Sequence, residues 1–204
     1  MRTVLSISSL LTVFVVSACG GDGGSGTPHT LTPYDEIVGT FGQLRQEFGS
    51  EDVTPETAMP DLGAATYTGH LALSLADAPI SSIASDISID VDFETRTVSG
   101  HADRFHSDDG RTMTVVDDTS SPTSTNRILF YGGYDFGRRP DYTIDFDLTG
   151  NLITEDGIVV RLDVAMDSDF VGSETNAISG IAAGQATIAA DPATTIVGDF
   201  LAVQ

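Results

Sequence analysis

The chain contains no lysine and no tryptophan, and a single cysteine among its 204 residues. One cysteine excludes an internal disulfide framework, so the fold must be held by packing alone. The nine basic residues, all arginine, stand against 30 acidic ones, for a net charge of −21. A surface this acidic repels phosphate backbones and anionic lipid headgroups, which excludes nucleic acid as a partner and favours cations or a basic protein. The same composition also serves solubility in a salty habitat, where salt screens the self-repulsion. Long apolar runs are scarce as well. The main one, Leu5 to Val16, is too short to cross a bilayer as a stable helix. What the chain does have is 21 glycines, ten Phe and five Tyr, with abundant Thr, Ser and Asp. That mixture suits a turn-rich β protein better than a helical bundle.

The N-terminus has the layout of an export signal: a charge at Arg2, an apolar core, then Val16-Ser17-Ala18-Cys19. Small residues followed by cysteine resemble the lipobox of bacterial lipoproteins. The resemblance implies that residues 1–18 are a signal peptide and that Cys19 is lipidated and becomes the new N-terminus. The plainer alternative is a secretory signal with a chance cysteine, which would leave an exported chain with an oxidisable thiol. Gly20 to Gly26 has almost no side chains to pack, so residues 19–32 read as a Gly-rich tether between lipid and folded domain. Gly20 directly after the cysteine suggests, by analogy with enterobacterial lipoproteins, an outer-membrane destination.

Residues 33–58 read as an N-terminal helix and linker. Thr32-Pro33-Tyr34-Asp35 supplies an N-cap, a first-turn proline and an acid. Tyr34, Ile37, Val38, Phe41, Leu44 and Phe48 then form one apolar stripe, with Gly49 as the stop. From Tyr67 onward the period changes to two. Alternating segments start near Tyr67, Ile87, Val98, Ile144 and Ile158, with shorter ones near Met113, Ile128, Ala177, Ala186 and Ile196. The fold class expected is all-β: a single antiparallel soluble β-barrel of about eight strands over residues 59–204, after a short helix and a lipid-anchored flexible tether. A β-sandwich is the alternative. Glycines on the apolar faces, Gly69, Gly100, Gly150 and Gly198, favour the coiling of a small closed barrel.

Three pieces of this region carry a family resemblance. Met59-Pro60 with Gly63, Ala65, Tyr67 and Gly69 looks like the opening strand of the barrel domain of transferrin-binding protein B, and more closely of small alphaproteobacterial lipoproteins named as transferrin-binding-protein-like. Val91-Asp92-Phe93 to Thr97-Val98-Ser99-Gly100 is similar to that family's hairpin, and Gly184 to Phe200 resembles its closing hairpin. The family's usual Phe-Phe-Gly or Phe-Tyr-Gly is replaced here by Ala186-Thr187-Ile188-Ala189. The two-lobed receptor's handle domains and transferrin-contacting loops have no counterpart. The resemblance implies a surface lipoprotein of the outer membrane with a binding or accessory role, in iron or haem acquisition or simply in shielding the surface.

Candidate site residues are few. Tyr131, Tyr134 and Phe136 around Gly132-Gly133 read as a mouth-lining aromatic loop, and Arg138-Arg139 as a basic contact loop beside it. His101 and His106, with Asp103 between them, are the candidate metal ligands, against the plainer reading of solvated polar residues. The Asp-rich strands lack the spacing of a calcium loop. No Gly-x-Ser-x-Gly, Walker or dinucleotide pattern occurs. The chain therefore reads as a non-enzymatic protein with no resident cofactor. Its partners would be the membrane, through the anchor, and a protein or small-molecule ligand. A carrier of lipid or another hydrophobic molecule is the weakest reading.

Overall fold

The computed structural model describes residues 31–204 except 77, 118–121, 137–142 and 190–191. The signal, Cys19 and His29 lie outside the described residues, as do Arg138 and Arg139.

The first element is helix α1 (Pro33–Phe48), and its start is fixed by the residues the sequence singled out. Thr32 Oγ1 accepts from the Asp35 backbone N–H at 3.2 Å, and Asp35 Oδ2 accepts from the Thr32 N–H at 3.0 Å. This reciprocal pair satisfies two of the helix's unpaired donors. Among the described residues nine strands follow: β1 (Ala64–Leu75), β2 (Ser82–Asp92), β3 (Thr97–Ser107), β4 (Met113–Val116), β5 (Ile128–Tyr134), β6 (Ile144–Thr154), β7 (Val159–Val171), β8 (Ala177–Ile188) and β9 (Thr194–Val203). All pairings are antiparallel, and β1 pairs with both β2 and β9 while β6 pairs with β7, so the sheet closes on itself.

Nine strands make eight staves. β4 pairs with the Asn151–Thr154 end of β6, and β5 pairs with its Ile144–Phe146 end, both running in the same direction. They are two halves of one stave between β3 and β6. The closure can be followed along one row of partners. Ala65 meets Val91, then Val98, Gly132, Phe146, Met166, Ala182 and Gly198, and the row returns to β1 at Leu73, eight residues further along. Eight staves with a displacement of eight imply a strand tilt of about 36° and an interior just wide enough for side chains.

Among the described residues, large side chains fill the interior. Phe130 stacks on Phe146 with ring centroids 4.4 Å apart, and Phe146 meets Phe200 edge-on at 5.6 Å. Tyr67, Leu71, Ile89, Val164 and Ile196 are fully buried around them. Two glycines make the room. A Cβ on Gly100 would sit 2.5 Å from the Phe130 ring, and one on Gly180 would sit 2.7 Å from Phe200. Outside the barrel, α1 covers one strip. Phe41 packs on Val171, Ala177 and Leu201, with Leu44 and Phe48 alongside, and Arg45 pairs with Asp199 at 2.8 Å. The aromatic stripe of the helix thus packs on the domain's own wall.

Three local expectations are corrected. The two short strands near Ala177 and Ala186 are one continuous strand, β8, because Gly184 lies against the β7 backbone at Asp163 and Val164 without breaking the ladder. The apolar alternation from Ile158 predicts a strand as far as Met166, but β7 runs on to Val171: the interior position after Met166 is Ser168, fully buried, followed by Phe170. Gly132 and Gly133 lie within β5 and not in a loop, pairing with Phe146 and Asp145.

The Phe130 packing gives a direct test. Gly100→Ala forces the ring or the β2 backbone aside and is expected to cost about 1–3 kcal/mol, read as a lower urea midpoint with an unchanged slope. An unaltered midpoint would show that the ring has free space to move into.

Candidate functional site

The aromatic residues proposed to line a mouth separate into two groups. Tyr134 is buried at one end of the barrel, where its ring meets Phe170 edge-on at 5.3 Å and Phe136 at 6.1 Å. Its hydroxyl donates to the Phe93 carbonyl at 3.2 Å, and Phe93 in turn packs on Phe170. Burial pushes the Tyr134 phenol above its ordinary value, so it stays a neutral donor. These rings, with Tyr67 behind them, plug that end of the barrel. Tyr131 does the opposite. Three residues before Tyr134 on the same strand, it lies on the outer face and is 72% exposed, next to Leu129 at 55%. The odd spacing is the reason, since alternate residues of a strand face opposite sides.

Beside Tyr131 a groove of about 290 Å³ crosses the outside of β5, β6 and β7. Its floor is Gly132 and Ala165, and its rim carries Asp145, Asp147 and Asp167. Asp145 and Asp167 are direct cross-strand partners. Like charges placed so are unfavourable for the sheet itself.

A second groove, of about 540 Å³, lies between α1 and the outer faces of β1, β2 and β3. Here His70 Nδ1 is 3.0 Å from Asp86 Oδ1, and the Arg104 guanidinium is 2.6 Å from Asp86 Oδ2. Next to them His101 Nε2 is 3.7 Å from Asp103, whose carboxylate also accepts from Arg127 at 3.1 Å. An ionised Asp86 can only accept, so His70 carries a proton on Nδ1 and donates it to the carboxylate. A β-bulge builds this arrangement. Between the Ala84–His106 and Asp86–Asp103 pairs, β3 has two residues, Arg104 and Phe105, against the single Ser85 of β2, with Arg104 in the left-handed region at φ 51°. The extra residue sends both Ala102 and Phe105 into the core although they are three apart.

His101 and His106 are therefore not a pair of ligands at one point. His101 is half-exposed beside Asp103, while His106 is buried, 3.4 Å from the Thr112 hydroxyl. Burial, with Arg104 nearby, holds His106 below the ordinary imidazole value. Among the described residues no three His, Cys, Asp or Glu side chains gather as a metal-binding set. The sequence reading missed the His70–Asp86–Arg104 chain. Its only signal was a histidine on a polar strand face, and the partners come from two other strands. Comparison with known proteins gives no matching family model and no matching curated sequence.

Asp86 supplies a pH test. Burial acts to raise its pKa, but the hydrogen bond from His70 and the charge of Arg104 outweigh it and hold the carboxyl below its ordinary 3.8. A depressed folded value stabilises the protein above the unfolded pKa, and that stability is lost as pH falls from about 5 through the folded value. Asp86→Asn should lower the urea midpoint at pH 7 and flatten part of the acid decline. Parallel midpoint-versus-pH curves for the two proteins would refute the assignment.

Proposed function

We propose that the chain is a lipid-anchored lipoprotein of the outer membrane whose transferrin-binding-protein-like barrel binds through its outer surface and not through its interior. The observation that carries this reading is the contrast between the two sides of β5. Phe130 and Tyr134 fill the inside, while Leu129 and Tyr131 stand exposed outside beside a groove. Among the described residues the stacked aromatic rings fill the middle and the Tyr134 end of the barrel, which favours surface recognition over a carrier role. The anchor rests on Val16-Ser17-Ala18-Cys19 and the glycine tether after it. A role in iron or haem acquisition is the more specific version and rests on the family resemblance. A shielding lipoprotein with no specific ligand is the second reading, and the same solid interior favours it. Neither reading calls for catalysis or a cofactor.

Anchor and exposure are testable together on intact cells. The membrane-extracted protein should have the mass of a chain starting at Cys19 plus acyl groups, and protease added outside should remove the barrel. An unacylated chain, or a barrel cut only after lysis, would overturn the corresponding half of the reading.

A further inference from the structure

The groove beside Tyr131 is one end of a longer feature that the register reveals. Gly132 pairs with Phe146, which places Tyr131 next to Asp147 as the following outward position. Asp147 pairs with Ala165, Ala165 with Ala183, and Ala183 with Val197. Tyr131, Asp147, Ala165, Ala183 and Val197 therefore form a single row across the outside of β5 to β9. Both alanines are exposed, and the ends are the exposed Tyr131 and Val197, the latter at 53%. Two short methyl side chains between larger neighbours make a shallow apolar lane. At ~4.8 Å per strand its four steps span roughly 19 Å, the length of about six extended residues.

The flanks of the lane define what fits it. On one side stand Asp145 and its cross-strand partner Asp167; on the other, Asp163 lies between Thr149 and Gln185. Among the described residues no arginine pairs with Asp145, Asp147 or Asp163. A nearby ion pair, Arg45 with Asp199, joins α1 to β9. An apolar floor with the unneutralised carboxylates of Asp145 on one side and Asp163 on the other matches a side chain that is aliphatic along its stem and cationic at its tip. An exposed aromatic ring at one end adds a cation–π face.

We propose that this lane docks an extended, Lys- or Arg-rich segment of a partner protein, with the stems lying on Ala165 and Ala183 and the charged ends reaching Asp145, Asp147 and Asp163. The inference rests on the reading of the barrel as a module that binds through its exterior. It excludes an anionic membrane surface as occupant, since the flanks would repel it.

The test uses the full-length protein in a non-ionic detergent with a fluorescein-labelled octalysine peptide, followed by anisotropy at 0.15 M NaCl, where the field of distant charges is screened. Asp147→Asn with Asp163→Asn should weaken binding about fivefold. The charge-matched pair Glu51→Gln with Glu56→Gln, exposed residues ahead of β1, should leave it within about twofold. Ala183→Gln adds bulk without charge and should also weaken binding. Equal losses from both charge pairs would show attraction to overall charge only and overturn the proposal, as would full affinity in Ala183→Gln. The assay does not depend on where the protein sits in the cell. A failed protease-shaving experiment with a positive peptide result would move the barrel to the periplasmic side and leave the lane in place.

Discussion

The rest of the structure depends on how the barrel closes. Eight staves displaced by eight residues fix the tilt and, with it, the bore. At that bore the interior admits one thickness of side chains from each wall. The sequence meets the constraint by pairing large with absent: Phe130 over Gly100 and Phe200 over Gly180. Close packing of this kind is intolerant of added volume, and it leaves the chain independent of disulfides. One stave is built from two strands, β4 and β5, and the wall stays continuous because each half pairs with its own end of β6.

A filled interior shifts attention to the outer wall, which presents three kinds of surface. At one outward patch formed by Val171, Ala177, Leu201, Ala72 and Val203 the wall is apolar and α1 covers it, so the aromatic stripe of the helix completes the domain's own packing. On β1 to β3 the bulge at Arg104 gathers two histidines and two aspartates in a half-covered groove, each aspartate held by an arginine. On β5 to β7 the wall is left uncovered, acidic and partly apolar. The three regions follow from one rule, that alternate residues of each strand belong to opposite faces.

Much of this was legible in the sequence. Period-two runs such as Tyr67 to Leu75 and Ile144 to Leu152 located strands because one face is buried and the other solvated. Thr32 and Asp35 located the helix start because capping is a local interaction. Legibility failed where the deciding contact is remote. Ser168 interrupts an apolar alternation, so β7 looked shorter than it is; the position is interior all the same, facing Gly180 across the β7–β8 ladder. Tyr131 and Tyr134 looked like members of one cluster because they are close in sequence, yet their odd spacing puts them on opposite sides of the wall. The His70–Asp86–Arg104 chain and the lane from Tyr131 to Val197 are products of register between strands, and register is set by the closed sheet and by no single segment.

The most direct test of the account is a crystal of the protein pressurised with xenon, which enters apolar cavities large enough to hold it. The packing described here predicts no xenon within the ring of Phe130, Phe146 and Phe200, and none behind the plug of Tyr134 and Phe170. An ordered xenon atom inside the barrel would reveal apolar space there, contradict the filled interior and favour the carrier reading.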